Sequence, residues 1–193
     1  QVATHMIGND AFQEADTIGV TRSITKHNYL VKDVRTLAHT IREAFHIARS
    51  GRPGPVHVDV PVDVQRAKTE FLWPDKVRLR GNRTPLKAPA AQIRKAADLV
   101  NGTTRAVLYV GGGAVASGAA AEILSFAEKA DIPVTTTLMA MGMFPVGHPL
   151  FMGMLGMHGT YVANMAMQHA DLLISVGARF DDRITGRVKD FST

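Results

Sequence analysis

Apolar positions recur along this chain with two periods. Val34, Leu37, Ala38, Ile41, Ala44, Phe45 and Ala48 fall at the i, i+3, i+4 spacing that lines one buried helix face, and Asp33 ahead of them is a capping residue. The pattern predicts a helix from Asp33 to about Arg49, stopped by Gly51 and Pro53. The stretch PVHVDVPVDV, residues 55–64, alternates Val with polar residues and predicts a strand. GVTRSITKHNYLV, residues 19–31, predicts another. The first part of the chain therefore reads strand, helix, strand.

Beyond residue 90 the alternation is cleaner. A helix is predicted over 91–101, burying Ile93, Ala96, Ala97 and Val100 and ending at Gly102. The strand RAVLYV follows, then the turn GGGAVAS, then a helix over 118–130 with Ile123, Leu124 and Ala127 inward. IPVTTT is the next strand. A long Gly-, Pro- and Met-rich loop leads to a helix over 160–169, and DLLISVGA is the last strand. Continuously apolar strands alternating with helices predict an α/β fold, with parallel sheets covered by helices on both faces. The expected organisation is two parts, 1–66 and 91–193, joined by a Pro-containing linker over 67–90.

Composition changes this picture little. Apolar residues make up 46% of the 193 and charged residues 20%, as in a packed globule. No run of 18 apolar residues predicts a membrane helix, and no membrane partner is expected. There is no Cys, which excludes disulfides and Cys-based metal sites. The chain opens on Gln1 and is expected to be a segment of something longer. The formal charge of +5 is localised. Arg66, Lys68, Lys76, Arg78, Arg80, Arg83 and Lys87 face only Glu70 and Asp75, among Pro74, Gly81, Pro85 and Pro89. Without helical or strand period, and with only Phe71 and Trp73 interleaved, this reads as a solvated linker rather than a nucleic-acid surface.

Candidate chemistry gathers at strand ends, where open parallel sheets bind ligands. Gly111-x-Gly113-x-x-Ala116 matches a dinucleotide turn between strand and helix. The acid that an NAD site wants at the next strand end is absent from Thr137-Leu138-Met139. The following loop holds six of the nine Met residues between Met139 and Met157. It is either core filler or a wall for a planar ring. His158, before Gly159 and Thr160 at a helix start, is either structural or an anion donor. The last end reads SVGARFDDRITGR, 175–187. Gly177 permits close approach, Arg179 and Arg183 are forked donors for diphosphate, and Asp181 suits ribose hydroxyls. Asp182 and Arg187 read as surface charges. Three such ends together point to a dinucleotide with a flat ring.

IGNDAFQE, TKHNYLV, GRPGPVHVDVP, LYVGGG, PVTTTLM, MLGMHGTYVANMAM and GARFDDRITG carry a resemblance to the acetolactate synthase (acetohydroxyacid synthase) family, catalytic large subunit. It covers the whole chain in order. The resemblance implies a thiamine-diphosphate-dependent transferase of branched-chain amino acid (isoleucine, valine, leucine) biosynthesis. That family decarboxylates pyruvate and condenses it with pyruvate or 2-oxobutyrate, using Mg²⁺ and carrying FAD in its central domain. Residues 1–66 would end the thiamine-pyrimidine domain and 91–193 would form most of the FAD domain, incomplete at Thr193. A homodimer or homotetramer with an interface active site, and a regulatory small subunit, are implied; so is a cytoplasmic location in bacteria or an organellar one in eukaryotes.

By motif, Arg52 resembles an FAD contact. Gly111, Gly112, Gly113, Thr137, Leu138, Met139, Leu155, Gly156, Met157 and His158 would line the flavin and its chain. Gly177, Ala178, Arg179, Asp181 and Arg183 would hold its diphosphate and ribitol. Phe12 and Gln13 resemble residues that approach the active site from a neighbouring subunit, with Gln13 the better substrate contact. Ala11 resembles part of the inhibitor channel. Two departures stand out. The family usually reads QVP where this chain has Gln1-Val2-Ala3, a position whose Pro commonly confers sensitivity to herbicidal inhibitors. The family's VPKD is here Pro61-Val62-Asp63, without the channel lysine. The family's activating glutamate is expected upstream of Gln1, and no GDG metal motif occurs here. The 193 residues alone are therefore expected to be inactive, with no metal site of their own. Another carboligase or decarboxylase of the same architecture, or a non-catalytic nucleotide-binding module, are the competing readings.

Overall fold

The computed structural model describes residues 1–77, 79 and 87–192. Of the expected linker, Arg78, Arg80, Gly81, Arg83 and Pro85 lie outside the described residues. The chain divides into two units, Gln1–Leu86 and Lys87–Thr193.

In the first unit the order is α1 (Thr17–Thr21), β1 (His27–Leu30), α2 (Val34–Arg49), β2 (Val56–Asp59) and α3 (Val62–Arg66). β1 and β2 pair in parallel, His27 opposite Val56 and Leu30 opposite Asp59. α2 takes the predicted bounds, with the Asp33 side chain accepting from the Arg35 amide. Its inward face is corrected in one respect: Phe45 is 68% exposed, and the buried residues are Thr40 and Ala44. Both predicted strands shorten. Residues 19–24 are helical because Asp16 caps α1 through the Gly19 amide, and Thr21 and Thr25 return hydroxyl bonds to Thr17 and Thr21 carbonyls. The alternation over 55–64 breaks at Pro61, which takes the N-cap of α3. After Arg66 no regular element follows up to Val77. This stretch is still anchored: Arg42 donates to the Pro74 and Asp75 carbonyls and lies 5.7 Å from the Trp73 ring centroid.

The second unit runs α4 (Ala90–Asn101), β3 (Ala106–Val110), α5 (Gly112–Ala116), α6 (Ala120–Ala130), β4 (Val134–Thr136), β5 (Phe151–Met154), α7 (Tyr161–His169), β6 (Leu172–Val176) and α8 (Asp182–Thr185). All strand pairings are parallel, in the order β5-β4-β3-β6. All five residues of β3 are buried. Leu108 and Val110 pack with Ile123 and Ala127 of α6 and with Phe144, while Val107 and Tyr109 pack with Leu155 and with Met167 of α7. Helices thus cover both faces. α4 forms as predicted but buries none of its residues, Ile93 being 57% exposed. β5 is unpredicted: its Phe-Met-Gly-Met sequence lacks β-branched residues, and Gly153 sits at φ +90° beside a register shift.

The starts of β3 and β6 are tied by Asp171, whose carboxylate accepts from the Thr103 and Thr104 hydroxyls and the Thr104 and Arg105 amides. The Thr103 hydroxyl and these amides hold its carboxyl well below the usual carboxylate range. A depressed native pKa stabilises the fold above the unfolded carboxylate value of about 4 and is lost as pH falls through the native one. Asp171→Asn is therefore expected to lower the melting temperature at pH 7, and the gap to wild type should narrow on acidification below about pH 4. Thermal melts across pH test this.

Candidate functional site

The chain runs outward from β3 to β4 to β5, then returns to lay β6 on the other flank of β3. That reversal makes the carboxyl end of β3 a switch point, where open α/β sheets bind ligands. The ends of β4 and β6 flank it, so the three predicted strand ends are neighbours.

The glycine turn has a role that its sequence pattern does not reveal. The Gly111 amide donates to Val176 O and the Gly113 amide to Gly177 O, both at 2.9 Å. A Cβ on Gly111 would lie 2.4 Å from Ala178 Cα, and one on Gly177 2.2 Å from Ala114 N. These glycines let the β3 and β6 ends pack backbone to backbone. Among the described residues, Gly112 keeps an amide without a backbone partner. Within GGGAVAS, Gly112–Ala116 form the short helix α5 with Gly111 as its N-cap.

The β4 end joins this cluster from the other side. The Thr137 amide donates to Val110 O at 2.8 Å. Its hydroxyl is buried and has no partner among the described residues. A Cβ on Gly112 would come 3.2 Å from Met139 Cβ. The Met-rich loop divides: Ala140 and Phe144 are in the core, whereas Leu138, Met139 and Met157 are 72%, 75% and 60% exposed. The core-filler reading therefore describes Ala140 and Phe144.

Leu155 and Gly156 are buried, and Met157 and His158 are exposed. Met157 N donates to Arg183 O at 3.0 Å, and the Arg183 guanidinium lies 3.9 Å from Met157 Sδ. Asn164, which pattern reading misses, fixes this turn: its amide oxygen accepts from Gly156 N, and its nitrogen donates to Gly156 O and Thr160 O. Its one sequence signal is its place four residues after the cap Thr160, whose hydroxyl accepts from Ala163 N.

Asp181 is used locally. It caps α8 by accepting from Arg183 N at 3.1 Å, and it lies 3.4 Å from the Arg179 guanidinium. Arg179 and Arg183 remain 72% and 69% exposed in their side chains. Arg187 pairs with Asp190 at 2.8 Å. Below them Tyr109 is fully buried against Phe180, at 5.3 Å between centroids. Its hydroxyl is unpaired among the described residues, and burial, then the Asp181 charge, pushes its pKa up to about 12.

Arg52, Phe12, Gln13, Ala11 and Ala3 belong to the first unit. Arg52 and Phe12 are exposed, Phe12 at 89%. Gln13 is exposed with φ +64°, a left-handed conformation uncommon outside glycine. Among the described residues no group of three His, Cys, Asp or Glu could hold a metal. No helix among them is long and apolar enough to cross a membrane.

The strand ends thus gather a glycine-packed switch point, a threonine hydroxyl unpaired among the described residues and two exposed guanidinium groups. Residues 93–193 match the thiamine pyrophosphate enzyme central domain, and the chain belongs to that family. It is 51% identical, over all of its length and 31% of the relative's, to the acetolactate synthase large subunit of Corynebacterium glutamicum. It is 50% identical to acetolactate synthase 1, chloroplastic, of Zea mays, and 48% to the probable acetolactate synthase large subunit of Methanocaldococcus jannaschii, again over all of this chain and about a third of each relative. The chain thus spans about a third of the length of these relatives.

Proposed function

We propose that this chain is part of an acetolactate synthase large subunit. That enzyme decarboxylates pyruvate on thiamine diphosphate with Mg²⁺ and condenses it with a second 2-oxo acid, pyruvate or 2-oxobutyrate. The observation that carries the reading is near-50% identity along the whole chain to relatives so named in a bacterium, an archaeon and a plant. Residues 1–66 are the end of the pyrimidine-binding domain, 67–90 a linker and 91–193 the FAD-binding central domain. The enzyme is a homodimer or homotetramer that works with a regulatory small subunit.

FAD fits the residues at the strand ends. The unpaired Thr137 hydroxyl and the free Gly112 amide are donors awaiting an acceptor. Gly111, Gly113 and Gly177 serve the site by holding the β3 and β6 ends together. Leu138, Met139 and Met157 offer apolar surface for a flat ring. Arg179 and Arg183 would hold the diphosphate, His158 would line the flavin and its chain, and Arg52 would add a contact in the assembled enzyme. Asp181 acts by fixing α8 and Arg179 rather than by reaching the cofactor itself. FAD supplies the enzyme with a bound flavin and no net oxidation.

The test is the full-length protein: acetolactate should form from pyruvate when thiamine diphosphate and Mg²⁺ are present, and a flavin spectrum should copurify. Arg179→Ala and Arg183→Ala should each weaken FAD retention about tenfold or more, the worth of a charge-assisted hydrogen bond. Full flavin occupancy in both variants after dilution would remove the diphosphate role from these arginines.

A further inference from the structure

The loop carrying Phe12 and Gln13 is more constrained than its exposure suggests. Its first stem is tied to α3, where the Thr4 amide and hydroxyl donate to the Asp63 carboxylate. Its second stem is tied to the end of β2, where Thr17 Oγ1 donates to Asp59 Oδ2 at 2.8 Å. The Gln1 side chain bridges both, donating to Asp59 Oδ2 and Ala15 O at 3.1 Å each. Asp59 itself is only 6% exposed. Between the stems the backbone turns left-handed three times, at Gly8 (φ +85°), Asp10 (+54°) and Gln13 (+64°). Non-glycine residues keep such conformations only where their surroundings over-determine them.

One side chain supplies that constraint from inside the loop. The Glu14 carboxylate accepts from the Gly8 amide and, at 3.0 Å, from the Ala11 amide. The Glu14 amide closes the turn on Ala11 O at 2.9 Å. Glu14 is half-buried and lines an open cavity of about 550 Å³ with Gln1, Ile7, Ile18 and Leu30. Phe12 and Gln13, by contrast, make no side-chain hydrogen bond among the described residues. The amides of Gly8 and then Ala11 hold the Glu14 carboxyl below its ordinary value, so it stays a charged acceptor near neutral pH.

We propose that Glu14 is the positioning residue that presents Gln13, and Phe12 with it, to the active site. This rests on the reading of Gln13 as a substrate or cofactor contact in the assembled enzyme. Glu14 touches neither; it sets where Gln13 stands by gripping two amides that an uncharged side chain grips less well.

The experiment compares Glu14→Gln, Gln13→Ala and the double variant in the full-length enzyme. Glu14→Gln is expected to lower kcat roughly tenfold, as misplacement of a contact by a fraction of an ångström does, with KM for pyruvate changed by less than about twofold. The double variant should be no slower than Gln13→Ala alone, because both changes remove the same contact. Glu14→Gln at wild-type speed beside a slow Gln13→Ala overturns the positioning role alone. So does a double variant whose losses multiply. A fully active Gln13→Ala overturns the Gln13 reading and this proposal with it. Hydrogen exchange of residues 7–14 in the unmodified enzyme gives a check independent of how the variants fold. The Gly8 and Ala11 amides should exchange slowly, and their complete exchange within seconds would overturn the clasp.

Discussion

Gly177→Ala is expected to disrupt the second unit and, on the proposed reading, empty its FAD site together. The residue stands at φ +63°, where a Cβ costs about 1–2 kcal/mol. That Cβ would also lie 2.2 Å from Ala114 N, 2.6 Å from Gly113 C and 2.7 Å from Gly113 Cα. All three are backbone atoms, so no side chain can turn aside. Relief requires moving α5 off β6, which breaks the Gly113 amide bond to Gly177 O. Overpacking of this kind costs about 1–3 kcal/mol more. Together the changes remove roughly 2–5 kcal/mol, and in a domain of about 100 residues each kcal/mol lowers Tm by about 4–8 °C. A fall of at least about 10 °C, with flavin lost from the purified protein, is the expected result. Gly118→Ala is the control. Gly118 is also left-handed, at φ +70°, but a Cβ there meets nothing within 4 Å. It should carry the backbone cost alone, and equal melting temperatures for the two variants would refute the close-packing argument.

The same pair of strand ends shows what could be read from sequence and what could not. β3, α2 and α6 are legible because each buries residues at its own period, a property contained within a dozen neighbouring positions. The glycine turn is legible as a place but not as a mechanism. Its amides are taken by Val176 and Gly177, more than sixty positions away, and no local pattern announces that pairing. Asp171 escapes for the same reason: a polar residue acting on backbone some sixty-six positions away looks like any surface residue. The misreadings have local causes. Pro61 ended an alternation that otherwise suited a strand, and the Thr hydroxyls at 21 and 25 turned another into helix. In α4 Val100 packs against the core of its unit but only partly, and Ile93 stays exposed, so period alone overstated the helix's burial. At the β6 end the pattern separates Arg179, Asp181 and Arg183 from the surface charges Asp182 and Arg187, but does not reveal that Asp181 caps α8.

Ala3→Pro is expected to make the full-length enzyme markedly more sensitive to sulfonylurea inhibitors. The expectation joins the resemblance, in which this position is usually Pro at the mouth of the substrate channel, to the local backbone. Ala3 sits at φ −62° and ψ 150°, and proline fixes φ near −65°. The Ala3 amide makes no hydrogen bond among the described residues, so proline removes no donor in use. The bonds that anchor this segment, Met6 N to Ala3 O and Thr4 to Asp63, need only groups that proline keeps or leaves alone. The substitution should therefore fold normally and stabilise by up to about 1 kcal/mol through the unfolded chain. Any change in inhibition then reports contact with the pyrrolidine ring rather than damage to the loop. A ring that fills an apolar inhibitor pocket contributes about 0.8 kcal/mol per buried CH₂, so two extra methylenes give roughly a tenfold shift. Inhibition curves at matched pyruvate, with Tm and kcat measured alongside, test this. Unchanged half-inhibition with normal folding would place Ala3 away from the inhibitor, whereas a tenfold shift at constant kcat would place it in the channel wall.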